Sequence, residues 1–101
     1  MALSKLQLSE LLATYRELLT DNQIGVLSMY CDCDCSLAEI AAETGISRQG
    51  VRDAVGKGEK ALTKLEDALH LVRFKKEVYL ALDEGDDEKI KYVVKNFVIK
   101  E

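Results

Sequence analysis

The stretch from Cys35 to Arg52 constrains this chain more than any other, because it carries two helix starts with one sharp turn between them. Ser36 and Ser47 stand at N-cap positions, where a hydroxyl oxygen accepts from a backbone N–H that the first turn of a helix leaves unpaired. Cys35 with Ile40, and Ile46 with Val51, have the spacing of hydrophobic staples. Glu39 lies three residues after Ser36 and completes a capping box, whereas Ser47 has the cap without the box. Between the two starts, Gly45 suits the positive φ of an abrupt helix end, and Ala41 is small enough for two helices to cross closely. The pattern predicts a helix-turn-helix over residues 36–60.

The remainder of the chain reads as helix throughout. It contains no proline, so only glycines and caps interrupt a helical pattern, and 101 residues suffice for one core, giving a single all-α domain over 1–101 of about six helices. Ser4 with Gln7 makes a capping box and Leu3 with Leu8 its staple. Leu8, Leu11, Leu12, Tyr15, Leu18 and Leu19 then mark one face of a helix running to about Thr20. Thr20 and Gln23 repeat the box ahead of a shorter helix faced by Ile24, Leu27 and either Tyr30 or Cys31. That helix is expected to stop before the acidic turn Cys31–Cys35. Leu37, Ile40 and Ala41 face inward from the first helix of the helix-turn-helix.

The second helix of the motif is expected to be long. Val51, Val55, Gly58, Leu62, Leu65, Leu69 and Val72 alternate steps of four and three residues, a heptad seam. Two destinations fit it: the chain's own first helix, or a second copy of the protein paired through Leu62, Leu65, Leu69 and Val72 in a homodimer. Gly56 and Gly58 within it mark a kink or a close backbone approach, or are simply tolerated. Beyond Val72, Phe74, Val78 and Leu82 form a new stripe that ends at Gly85. Ile90, Val93, Val94, Phe97 and Val98 mark a last amphipathic helix over 86–98.

Charge and chemistry narrow the function. A net charge of −4 excludes a protein that coats nucleic acid through a broad basic field, yet Ser47–Lys60 holds Arg48, Arg52, Lys57 and Lys60 against Asp53 and Glu59. No apolar run has the length of a membrane span, and the first residues lack the order of a signal peptide, so a cytoplasmic protein with reduced thiols is expected. Cys31, Cys33 and Cys35 lack the spacing of a common zinc motif, and His70 is remote from them, so no metal or other cofactor is expected. Neither a phosphate-binding glycine loop nor a nucleophile with a plausible base is present, which argues against an enzyme. A helix-turn-helix places the start of its second helix in the major groove of double-stranded DNA, where Arg48, Gln49, Arg52 and Asp53 reach base edges and Ser47, Lys57 and Lys60 reach phosphates. The same motif also serves as a packing unit in proteins that never touch DNA.

At Ser36–Ala41, Ser47–Val51 and the Leu62–Leu71 stretch, and at Tyr15, Leu18, Leu19, Thr20 and Gln23, the sequence resembles the YlxM family of small bacterial helix-turn-helix proteins. The resemblance covers roughly residues 10–75. It implies a fold similar to region 4 of sigma factors and a cytoplasmic, DNA-binding, dimeric regulator. It also implies a link to the signal recognition particle, beside whose protein component members are typically encoded. A module that modulates that particle without binding DNA is the alternative. Three positions depart from the family pattern: Cys35 replaces an aromatic residue, Gly50 an alanine and Gly56 a basic residue, the last removing charge from the reading helix.

Overall fold

The computed structural model describes residues 3–99, and every regular element in that range is helical. The order is α1 (Lys5–Tyr15), a 3₁₀ turn (Arg16–Leu18), α2 (Asp21–Leu27), a π turn (Ser28–Asp32), α3 (Leu37–Thr44), α4 (Arg48–Leu69), α5 (Leu71–Glu84) and α6 (Asp87–Val98). The helices gather into two compact units, Met1–Ala68 and Leu69–Glu101. The division falls between Ala68 and Leu69, just before His70, whose φ of 55° puts a left-handed residue between α4 and α5.

In the first unit the caps act as the sequence predicts. Ser4, Thr20 and Ser36 each close a full box with Gln7, Gln23 and Glu39, and Gly45 ends α3 at φ 79°. Leu8, Leu12, Tyr15, Leu27, Ile40, Val51, Val55 and Leu62 are fully or almost fully buried and form the core. Tyr15 is held from its polar end as well, its hydroxyl donating to Glu66 of α4.

Three expectations for this unit are corrected. The first helix ends at Tyr15, not near Thr20, and tightens into a 3₁₀ turn. Three residues per turn in place of 3.6 rotate Leu18 off the apolar stripe, and it is 63% exposed. The second helix does not stop at Cys31. It widens into a π turn closed by Cys33 N–H donating to the Ser28 carbonyl at 3.0 Å, so the helical path continues to Asp32. Val26, absent from the predicted stripe, is buried beside Leu27.

Gly58 is where α4 crosses α2. A Cβ built there would lie 2.7 Å from Leu27 Cδ1 and 3.0 Å from its Cγ, whereas one at Gly56 would meet nothing within 4 Å. Of the two glycines, the first is a close approach and the second is merely tolerated.

The second unit is an antiparallel hairpin of α5 and α6. Gly85 at φ 67° ends α5, and the Asp86 side chain accepts from Lys89 N–H to start α6. Phe74 and Phe97 stack at 4.2 Å between ring centroids, tying the beginning of α5 to the end of α6. Val72, Ala81 and Val93 are its buried residues. Leu82, expected on the buried stripe, is 55% exposed; Ala81, one residue earlier, takes that place.

Candidate nucleic-acid interface

The presentation of α4 begins upstream of it. Lys5 Nζ meets Asp34 Oδ1 at 2.6 Å and sits 4.7 Å over the Tyr30 ring, while Ser9 Oγ donates to Asp32, so α1 clasps the segment that leads into α3. The Lys5 ammonium beside Asp34 holds that carboxyl below its ordinary range. Asp34 itself adopts φ 55°, a left-handed turn that aims the chain at the Ser36 cap. In the cap the Glu39 carboxylate accepts from the Ser36 backbone N–H at 2.9 Å, and the Ser36 hydroxyl accepts from Glu39 N–H. The Ser36 backbone N–H, and after it the Ser36 hydroxyl, hold the Glu39 carboxyl below its usual value.

Ser47 Oγ accepts from Gly50 N–H at 3.0 Å, which starts α4. Accepting that bond leaves the Ser47 O–H free to donate outward. Arg48, Gln49, Arg52, Asp53, Lys57 and Lys60 are all exposed, as is Ser47. At 3.6 residues per turn they divide in two. Gln49, Asp53, Lys57 and Lys60 lie opposite the buried seam of Val51, Val55, Gly58 and Leu62, while Arg48 and Arg52 flank it. Gln49 Nε2 donates to Asp53 Oδ1 at 2.9 Å, which fixes the amide orientation at the centre of the open face. Lys64 is exposed and continues the row of Lys57 and Lys60, a residue the sequence reading passed over although the three-and-four spacing signals it.

The residues assigned to dimerisation do not share one helix face. Leu62 is fully buried, Leu65 half-buried, Leu69 43% exposed at the last residue of α4, and Val72 lies buried on α5. Helix α4 ends at Leu69, and the left-handed His70 interrupts the heptad before Val72, a break that side-chain periodicity does not reveal.

Among the described residues no group of three or more His, Cys, Asp or Glu is placed to hold an ion. Cys31 Sγ donates to the Leu27 carbonyl at 2.9 Å, and burial pushes its thiol up from the ordinary value. No helix among the described residues is long and apolar enough to cross a membrane.

These caps, the left-handed Gly45 and the outward start of α4 coincide with a family model. Residues 3–96 match the family described as "UPF0122: Putative helix-turn-helix protein, YlxM / p13 like". The chain belongs to this family. It is 47% identical over 77 residues to a UPF0122 protein of Mycoplasma capricolum, covering 76% of this chain and 67% of that one. It is 50% identical over 66 residues to a probable UPF0122 protein of Mycoplasma mycoides (65% and 58%), and 45% identical over 74 residues to one of Clostridium kluyveri (73% and 67%). The matched stretches thus span about two-thirds or less of these relatives' lengths. No solved structure matches the chain significantly.

Proposed function

We propose that this protein is a cytoplasmic, homodimeric regulator that binds duplex DNA with the first turns of α4. The observation that carries the reading is the exposed start of that helix directly after a capped turn, with Arg48, Gln49, Arg52 and Asp53 outward and Lys57 and Lys60 further along the open side. In a major groove, Arg48 and Arg52 pair with guanine and Gln49 with adenine, while Asp53 holds Gln49 or accepts from cytosine. Ser47, Lys57 and Lys60 bind phosphate and set the register. No catalytic step belongs to this reading.

The test is fluorescence anisotropy with a randomised duplex pool across a salt series. Two phosphate-neutralising lysines per protomer predict a slope of log affinity against log salt of about −2 per protomer, or about −4 for a dimer. Arg48→Ala with Arg52→Ala is expected to abolish preference among sequences while retaining most of the salt slope. Negligible binding at low salt would overturn the proposal.

A second reading is favoured by Asp53 at the centre of the face and by the chain's net charge of −4, both unfavourable to phosphate. In it the same helix docks on a protein partner and modulates the signal recognition particle. Capture of that particle's protein component by the purified chain, lost in Arg52→Glu, with no duplex binding, would establish it in place of the first.

A further inference from the structure

Three thiols lie within five residues at the end of the π turn, and the backbone treats them differently. Cys31 is committed to its helix, its Sγ donating to the Leu27 carbonyl at 2.9 Å. Cys33 is exposed and Cys35 half-buried, and between them stands Asp34 at φ 55°. A left-handed residue has the dimensions of a helical turn with the hand reversed. Helical rise and radius then put the Cα atoms of its two neighbours about 5.4 Å apart. Disulfides span Cα separations of about 4.4–6.8 Å, so this one is suitable.

Within a continuous right-handed helix that separation does not suffice, because side chains two residues apart point about 200° away from each other. Here the hand changes. Cys33 ends the right-handed path at φ −95° and ψ −3°, and Asp34 reverses it, which turns Cys35 back toward Cys33. The two sulfurs sense each other accordingly: burial pushes the Cys35 thiol up, and the neighbouring Glu39 and Cys33 add to that. The turn is also held in place. Cys33 N–H donates to the Ser28 carbonyl at 3.0 Å and Cys35 N–H to the Met29 carbonyl at 2.9 Å, while Lys5 fastens the Asp34 carboxylate at 2.6 Å.

We propose that Cys33 and Cys35 are a reversible dithiol that a hydroperoxide converts to an intramolecular disulfide across Asp34. Cys33, the exposed thiol, reacts first. Its thiolate attacks one peroxide oxygen; an S–O bond forms, the O–O bond breaks, and the leaving hydroxide takes up a proton as water. The Cys35 thiolate then attacks that sulfur; the S–S bond forms as the S–O bond breaks, and a second water leaves. Each sulfur gives up one electron and the peroxide gains two. A small dithiol reverses the change by exchange. The bond closes the turn that leads into the Ser36 cap, so oxidation fixes the direction from which α3 begins. This inference depends neither on DNA binding nor on dimerisation.

The test treats the full chain, reduced and freed of reductant, with equimolar hydrogen peroxide in dilute solution. Free thiols are expected to fall from three to one, with peptide mapping placing the bond between Cys33 and Cys35 of the same chain. Cys31→Ser is expected to behave as the wild type. In Cys35→Ser the sulfenic acid at Cys33 is expected to persist and to be labelled by dimedone. A bond that includes Cys31, a bond between two chains, or three thiols surviving the treatment would overturn the proposal. A glutathione titration reads how well the turn fits the bond. The folded chain is expected to favour the disulfide by about tenfold or more over the same chain in urea, and equal constants would refute the fit. Asp34→Asn, which tolerates a left-handed φ, is expected to keep that advantage, and Asp34→Val, which does not, to lose it.

Discussion

Replacing Gly58 by alanine tests how α4 is seated. Alanine is favoured over glycine inside a helix by about 1 kcal/mol, so propensity alone predicts that Gly56→Ala and Gly58→Ala both stabilise the protein. The surroundings separate them. At Gly56 the new methyl meets nothing within 4 Å, and the full gain is expected. At Gly58 the methyl would stand 2.7 Å from Leu27 Cδ1 and 3.0 Å from Cγ, and Leu27 is fully buried, so retreat requires α2 or α4 to shift. Overpacking of this kind costs about 1–3 kcal/mol. The difference between the two variants cancels propensity and reads the crossing alone, at about 1–3 kcal/mol in favour of Gly56→Ala. In a unit of this size each kilocalorie moves the melting temperature by about 4–8 °C. Urea denaturation of wild type and both variants measures it. Leu27→Ala combined with Gly58→Ala is expected to cost less than the sum of the two single changes, since removing the isobutyl group makes room for the methyl. Equal stabilisation by the two alanines would refute the close crossing.

Three further outcomes test the motif. Gly45→Ala is expected to destabilise by about 1–2 kcal/mol and Gly45→Asn by less, because open space surrounds the position and only its φ of 79° is at issue; thermal melts of the pair decide it. Ser36→Ala and Ser47→Ala are each expected to cost about 1 kcal/mol by urea denaturation, with Ser36→Ala the larger because its box also loses the geometry that holds Glu39. For Glu39, the folded form holds its proton less tightly than the unfolded chain does. Its contribution is therefore present above the ordinary carboxylate value of about 4.3 and is lost as pH falls below it. Glu39→Gln keeps a capping side chain without the titration, so its melting temperature is expected to fall less between about pH 5 and about pH 3 than that of the wild type.

The local chemistry of helix starts was legible at residue level. Ser4, Thr20, Ser36 and Ser47 all cap as their spacing indicates, because a cap is a short-range hydrogen bond that needs no knowledge of the rest of the fold. Departures from the α period were not. The 3₁₀ turn after Tyr15, the π turn at Ser28–Asp32 and the left-handed His70 each interrupt the α period through the backbone, so Leu18 fell on the wrong stripe, the end of the second helix was misplaced and Val72 fell on the wrong helix. Periodicity also counts apolar residues without knowing which have a neighbour. It named Leu82, where the tight helix contact uses Ala81. Arg48, Gln49, Arg52 and Asp53 were located on the outside of α4 because the buried seam of that helix is regular up to Leu62; the Gln49–Asp53 pair needed coordinates.

The π turn has a consequence for chain length. It holds one residue more than an α-helical turn would between Ser28 and Cys33, and each residue rotates a helix by about 100°. Deleting any one of residues 28–31 would leave a more regular helix, yet swing Asp32 and Asp34 away from Ser9 and Lys5 and send α3 off at another angle. Spacing at this point is a phase setting: a single-codon deletion would misdirect α3 even where every remaining side chain is kept.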